Sequence, residues 1–597
     1  MTDSFADEYG PRPPGVVWEF AARLCLLTDA HVGAARATPR HTAESDVDLY
    51  LDRDPRTGVP RLRGTTLAGL LRHELAARTA DPVGPAALLG SDDAGELTGA
   101  RTPAPLPSAL DVDDAHAVLP DGAAVTVRVG TRVDPATGAV SPGRMWQWEV
   151  LPAGTVFTAH LRLRVGAPSE EARLLTLLVL AARGLGDEGP GIRIGGRSGR
   201  GYGAVRAARW AARRHDLTDE HGWFAYHARD WRTRWRQGEE ALAAGDILAE
   251  SGPAESRSAG RPSPGPGPAA HRAAADHRSG TDLAGLVADR LREHGREATA
   301  AHLAARAEGA DRRRRAELRM ELHVAERPEP APSGRPPVPE ELRPGLLMIG
   351  DTPVDGRLAE VDRAHRRRPF VTGADAGGGG TADTATGAAE VELRPVLGDT
   401  ALFALFKRVG GRIARDAAEH LVGEEAAWRE WHGHWWGADT DQSPGAPPTP
   451  SVPSRIRLRA TPSVTGGAPL TTTRLTVDAL FGDAVDGRLF TSDLHCGGSA
   501  EAVLDITEPD DAVRGLLALV VRELVTVPFD TLGAGSGSGN GRLVATRAVL
   551  VGYEGDGAEP HQVDLVTALT DPDSYEAAVV RGWLPALHRQ ITRGNRP

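Results

Sequence analysis

A chain of 597 residues is too long for one compact domain and suggests roughly three to four units. Its hydrophobic content of 40% can fill real cores, while 70 glycines and 45 prolines require long loops between them. The net charge, 69 − 81 = −12, excludes a uniformly positive surface but leaves room for a local basic groove; Lys407 is the one lysine, so nearly every cation is an arginine, the side chain suited to bidentate phosphate contact.

Residues 17–27 read as a first strand, followed by a polar loop to about Pro60. In Gly64-Thr65-Thr66-Leu67-Ala68-Gly69-Leu70-Leu71-Arg72, either threonine can cap a helix whose apolar positions 67, 70, 71 and 75 share a face. Leu88-Leu89-Gly90 ends that unit. Residues 122–133 and 154–165 read as two further strands, the second alternating through Phe157, Ala159, Leu161, Leu163 and Val165. An apolar helix over 169–184 leads into the glycine loop Gly195–Gly203, and the strand Ala204–Trp210 closes the unit. The order βαββαβ is the split ferredoxin-like arrangement of an α+β fold.

Residues 216–312 differ. Helical stretches over 227–248 and 282–308 flank the Pro/Gly/Ser-rich run Ser251–Ala270, and together they read as a partly helical linker. The charge run Asp311–Arg315 reads as a solvated helix end.

From Ala316 the pattern restarts. Leu318–Val324 alternates as a strand, and Gly398–Lys407 opens a helix. Trp435-Trp436-Gly437 stands where Leu88-Leu89-Gly90 stood, and Pro453-Ser454 matches Pro107-Ser108. Counted from Asp134 and Asp478, glycines recur at 138 and 482 and at 143 and 487, arginines at 144 and 488, and acids at 149 and 493. A second apolar helix over 511–526, a second glycine loop Gly535–Gly541 and the strand Leu543–Val551 complete the copy. A repeat of this length means two like domains. The expected division is a first domain over 1–215, a linker over 216–312, a second and degenerate domain over 313–565, and a helical tail over 566–597, with a helix from Asp571 to Arg593.

These boxes resemble the RAMP superfamily (repeat-associated mysterious proteins), the RNA-binding subunits that form the backbone of type III CRISPR effector complexes. The family's helix start corresponds to Arg63–Arg72, its Asp-Arg-x-Thr-Gly turn to Asp134–Gly138, and its Glu-x-x-Pro-x-Gly box to Glu149–Gly154. The terminal glycine loop follows. The second half keeps the spacing with fewer of the side chains. The resemblance covers roughly two thirds of the chain. It implies two ferredoxin-like (RRM-like) RAMP domains with thumb insertions. It implies as partners a CRISPR guide RNA, a target RNA and other subunits of the effector.

Catalytic backbone subunits of that family carry an aspartate ahead of an Arg/Lys-Asp-Pro-x-Thr/Ser-Gly-x-Pro segment. Here Asp48 stands six residues before Asp54 in such a segment. The resemblance implies cleavage of target RNA by attack of a ribose 2′-hydroxyl on the adjacent phosphate. Asp48 would act as base, or hold Mg2+ or another divalent cation against the developing charge. The plainer reading is that Asp46, Asp48, Asp52 and Asp54 form an acidic surface loop. The second half has no such segment. Asp355 and Asp362 lie in the corresponding loop and nothing in the sequence selects either. The neighbouring Arg366-Arg367-Arg368 run reads as phosphate-contacting or solvated.

Glycine loops let backbone N–H groups approach a phosphate without Cβ obstruction. The first is dense in cations, with Arg193, Arg197, Arg200, Arg206, Arg209, Arg213 and Arg214 before any acid, which is the footprint of an RNA backbone. The candidate RNA-binding residues are Arg72, Arg144, Arg193, Arg197, Gly199, Arg200, Gly201, Gly203, Arg488, Gly537 and Gly539. The second loop has serines where Arg197 and Arg200 stood, so weaker binding or packing is expected of it. Met145, Trp146, Trp148, Leu489 and Phe490 beside the Gly-Arg boxes can stack on bases or pack the thumb onto the body. The Trp428–Trp436 cluster, with His432 and His434, reads as helix packing, since no third metal ligand has the right spacing.

A dinucleotide-binding reading fails on order, because these loops follow helices and precede strands. Two cysteines, Cys25 and Cys496, exclude a disulfide framework and a Cys-rich zinc site. The longest apolar run, Leu174–Ala182, is too short to span a bilayer, and no signal peptide is evident, so a cytoplasmic setting is expected.

Overall fold

The computed structural model describes residues 14–33, 47–91, 107–133, 140–186, 189–250, 278–306, 311–328, 337–351, 361–371, 391–421, 427–438, 452–526, 528–555 and 558–593. Asp46, Asp355, the Asp134–Gly138 turn and Ser251–Ala270 lie outside them, as do the side chains of 131–145, Arg144 and Met145 included.

Alternation builds the first sheet. In β1 (Val16–Leu26), Trp18, Phe20, Ala22, Leu24 and Leu26 turn to one face and are buried in an apolar core. Strands β2 (Val156–Val165) and β3 (Val205–Asp216) flank β1, both antiparallel to it. The outer partner of β2 is made of two short pieces, Leu110–Val112 and Ala115–Val118. Helices α1 (Gly64–Arg78) and α2 (Glu171–Ala182) contribute Leu67, Leu71, Leu75 and Leu174–Ala182 to the same core. The strand order is that of a ferredoxin-like sheet.

The expected body strand over 122–133 is corrected. Thr126–Val133 pairs with Val140–Val150 in a separate two-stranded sheet, the first thumb. Its alternation is real, but Val127 and Val129 remain about half exposed, so the strand has no core to join.

The stretch expected as a linker belongs largely to this body. Arg278–Gly280 adds an edge strand to β3. Leu283–Glu293 and Glu297–Arg306, one expected helix broken at Gly295, bury Leu286, Val287, Leu291, Ala300 and Leu303 in the first core. Helix Trp231–Glu250 covers the other face of the sheet. Ala241 and Leu242 pack on Ala21 and Ala211, Trp235 stacks on His160 at 4.4 Å, and Arg234 holds Glu19 at 2.7 Å. The sheet face that an RRM offers to bases is therefore occupied by protein.

The second half repeats the plan. Strands β4 (Arg315–Val324), β5 (Ser499–Thr507) and β6 (Leu543–Tyr553) lie in the order Ile456–Leu458, β5, β4, β6, His561–Asp564. Both sheets break register at one place, between Arg23 and Leu24 and between Glu321 and Leu322. Helices α3 (Asp399–Leu421) and α4 (Asp511–Thr526) cover its core. The expected tail packs there too: Tyr575–Arg593 buries Trp583, Leu587 and Ile591. Ala468–Val477 and Ala484–Cys496 form the second thumb. Among the described residues no helix is long and apolar enough to cross a membrane.

The charge run Asp311–Arg315 is not a solvated helix end. Arg313 reaches Glu74 of α1 at 3.0 Å, and Arg312 N–H donates to the Ala77 carbonyl. The run ties the start of β4 to the first body.

Candidate nucleic-acid interface

The two glycine loops are the same nine-residue turn. Positive φ falls at Gly195, Arg197, Gly201 and Gly203 in the first, and at Gly533, Gly535, Gly539 and Gly541 in the second. Gly196 N–H donates to the His31 carbonyl, and Ala534 N–H to that of Met348, each at 2.8 Å. The second loop therefore begins at Gly533, two residues before the expected start. Arg197 corresponds to Gly535, Arg200 to Ser538 and Tyr202 to Asn540.

Their surroundings differ. The first loop is covered by the second half. Leu458 N–H donates to the Gly199 carbonyl at 2.9 Å, and a Cβ on Gly201 would stand 2.9 Å from the Ala460 carbonyl carbon. Gly203 is buried. Arg193 bonds to the Arg459 carbonyl with its side chain 7% exposed, and burial pulls its guanidinium down to about 10. In the second loop, 533–539, with Gly537 and Gly539, are all exposed. The packing expected of the second loop is thus found in the first.

Most of the arginine footprint is likewise used inside the protein. Arg214 pairs with the fully buried Glu171 at 2.8 Å, and Arg213 bonds to Gln237 at 3.2 Å. Arg197 stacks on Trp148, 3.6 Å from the ring centroid, with Trp146 beyond. Trp148 is buried, so these rings hold the thumb to the body. Arg200 is half-buried. Of the Arg366-Arg367-Arg368 run, Arg368 is buried across the seam, pairing with Asp29 and approaching the Tyr202 hydroxyl at 3.4 Å. Arg367 remains exposed. Asp29 also meets Arg128 and was invisible to the sequence reading.

The acidic loop separates residue by residue. Asp52 is buried between Arg63 and Arg61. Burial works against its charge, but Arg63 and Arg61 hold the carboxyl below the usual range. Asp54 closes its own turn, accepting from the N–H groups of Arg56 and Thr57. Asp48 is exposed and meets no cation among the described residues. Asp48 N–H donates to the Gln147 carbonyl at 3.0 Å, and Gln147 N–H returns a 2.7 Å bond to Oδ2. The carboxylate is thus fixed on the thumb strand, three residues beyond Arg144. Glu149, next on that strand, is held by Arg53 at 2.9 Å.

Arg72 does not face a ligand groove. Its guanidinium caps a short helix, donating to the Leu89 and Gly90 carbonyls at 2.7 and 2.8 Å. Lys407 does the same for Gly437 at 2.8 Å. Ser108 and Ser454 also play one part, each meeting carbonyls before and after it in the chain. The second thumb is open among the described residues. Leu480, Phe481, Leu489 and Phe490 are 81, 78, 62 and 48% exposed, and Arg488 is exposed beside them. Trp431, Trp435 and Trp436 are buried in the second core. No three metal-ligating side chains gather among the described residues.

Residues 23–206 match the family model of the RAMP superfamily. The match begins in β1 and ends just past the first glycine loop, so it lies within the first body. RAMP proteins bind RNA in CRISPR complexes. No curated protein matches the chain.

Proposed function

We propose that this chain is a guide-RNA-binding backbone subunit of a type III CRISPR effector complex, acting in the cytoplasm, and that its first half cuts target RNA paired to the guide. The family match at 23–206 supports RNA binding. One observation carries the cleavage reading: Asp48 is exposed, free of cation partners among the described residues, and anchored through backbone on the thumb. Asp52 and Asp54 of the same loop are already engaged.

Asp48 would take the proton of a target ribose 2′-hydroxyl as that oxygen attacks the adjacent phosphorus. The anchored loop supplies orientation, since a carboxylate held by backbone loses little freedom when the ribose arrives. Asp48 alone is no metal cage, but a divalent cation bound by one carboxylate and RNA phosphates is an ordinary arrangement. Such a cation would stabilise the developing phosphorane charge. Arg488 with Leu489 and Phe490 on the open thumb, and Arg367, are the exposed groups suited to phosphates and bases.

The test is Asp48→Asn in the guide-loaded complex with a complementary RNA and Mg2+. Asparagine keeps the acceptor for Gln147 N–H and removes the charge. Expected are unchanged guide content and at least about 100-fold slower cutting at the sites Asp48 serves. Undiminished cutting at every site would show that Asp48 is not the catalytic residue and leave its loop a structural anchor of the thumb.

A further inference from the structure

The repeat can be read in three dimensions where the sequence was silent. Asp362 N–H donates to the Thr491 carbonyl at 2.9 Å, and Thr491 N–H returns a 2.7 Å bond to Asp362 Oδ2. This is the reciprocal pair that Asp48 makes with Gln147, at 3.0 and 2.7 Å. The chain after each aspartate runs parallel to its thumb strand, with Leu49 opposite Trp148 and Arg363 opposite Ser492. Each strand partner lies three residues past its Gly-Arg box, at Arg144 and Arg488. Both aspartates are exposed, and neither forms an ion pair among the described residues. Asp355 lies outside those residues, so Asp362 is the residue the geometry selects.

A shared loop anchor alone does not require aspartate at both places, since asparagine or serine offers an acceptor to a strand N–H as well. The segment after Asp362 has lost its acids: counted from the aspartate, Arg366 and Arg368 stand where Asp52 and Asp54 do, while Arg367 and Pro369 repeat Arg53 and Pro55, and the Glu149 position is Asp493. A carboxylate held in one pose on both thumbs, amid that loss, points to its chemistry.

We propose that Asp362 is a second catalytic residue, cutting target RNA at the second thumb; this rests on the function proposed above. The 2′-oxygen forms a bond to phosphorus, its proton passes to Asp362, and the P–O5′ bond breaks. The leaving 5′-oxygen takes a proton from water. The products are a 2′,3′-cyclic phosphate and a 5′-hydroxyl, with no oxidant or reductant involved.

The experiment compares wild type, Asp48→Asn, Asp362→Asn and the double variant as guide-loaded complexes. Each receives a 5′-labelled complementary RNA with Mg2+, and the cuts are mapped. Two sets of cuts are expected from wild type. Asp362→Asn should lose one set, by about 100-fold or more, and keep the other; Asp48→Asn should do the converse, and the double variant should lose both. Guide content and melting temperature serve as controls, since the side-chain amide oxygen introduced by Asp362→Asn still accepts from Thr491 N–H. An unchanged pattern in Asp362→Asn overturns the proposal, as does loss of every cut in Asp48→Asn alone, and the cleavage reading of Asp48 survives the latter. A complex without guide RNA, or a wild type that cuts nothing, overturns both readings.

Discussion

At the scale of single residues, Arg197 is the informative departure from the repeat. It holds φ 62° where the second loop has Gly535 at 79°. Left-handed backbone costs a non-glycine residue about 1–2 kcal/mol. The guanidinium lies 3.6 Å over Trp148, a contact of about 0.5–1 kcal/mol when exposed and about 2 when desolvated. The two effects nearly cancel, so the arginine is there for position: it clamps the first thumb to the loop. Glycine removes strain and clamp together, whereas alanine removes only the clamp. Urea unfolding should therefore rank wild type and Arg197→Gly within about 1 kcal/mol of each other, with Arg197→Ala about 1 kcal/mol below Arg197→Gly. An alanine variant equal to or above glycine would show that φ at 197 relaxes freely.

At the scale of elements, the seam between first loop and second sheet turns on buried charge. Arg368 pairs with Asp29 and meets Tyr202, and its charge is favoured: burial opposes it, while Asp29, Tyr202 and Asp399 sustain it. Removing one partner of a buried pair costs about 3–5 kcal/mol when the other is left uncompensated; here Asp29 keeps Arg128 at 3.3 Å and the Ala153 N–H, so the loss is smaller. Arg368→Met should lower the unfolding free energy by less than that full amount and speed proteolysis at the seam. Asp29→Asn and Arg368→Met should be non-additive, the double variant losing less than the sum of the two single variants; a strictly additive double variant would mean the pair is not coupled. None of this was legible in the sequence, since partners 339 residues apart leave no local pattern. What was legible was periodic: the alternation of β1 and β2, the helical face of Leu67, Leu71 and Leu75, and the box spacing. The second glycine loop starts two residues before the start its spacing suggests, because a run of glycines has several self-matches, whereas φ values have one; the match of Arg200 to Ser538 stands. Asp362 escaped notice for a related reason. The acids after it have become arginines, and the likeness lies in backbone: its bonds to Thr491, the parallel pairing of Arg363 with Ser492, and the Arg366 N–H bond to the Ile349 carbonyl that matches that of Asp52 to Val32. The covered sheet face escaped too, since Trp231–Glu250 shows its helical period but not which surface it meets.

At the scale of the whole molecule, titration should weaken the fold in two stages. Burial would raise the carboxyls of Glu19 and Glu317. His215 and Arg234 hold the first at about 2, and Arg459, Arg319 and Arg315 hold the second there. Depressed carboxylates contribute stability above their unfolded value, 4.5, and lose it as pH falls toward about 2. The buried histidines act earlier. Burial pulls His432 from 6.5 to about 4, and burial with the His495 neighbour pulls His365 to about 3. Each stays neutral in the folded chain while its unfolded counterpart takes a proton below 6.5, so stability falls as pH drops from 6.5 through 4. His432 Nε2 lies 3.0 Å from the Lys407 carbonyl, which a neutral ring satisfies as donor and a glutamine amide can satisfy as well. His432→Gln should start with a lower melting temperature at pH 7.5, because the amide fills less of the space beside Trp428 and Trp436. Its decline between pH 6.5 and 4 should be shallower than that of wild type, since one of the two strongly shifted histidines no longer takes up a proton on unfolding. Parallel declines in calorimetry over that window would place the acid sensitivity elsewhere, and His365→Gln would then be the variant that flattens it.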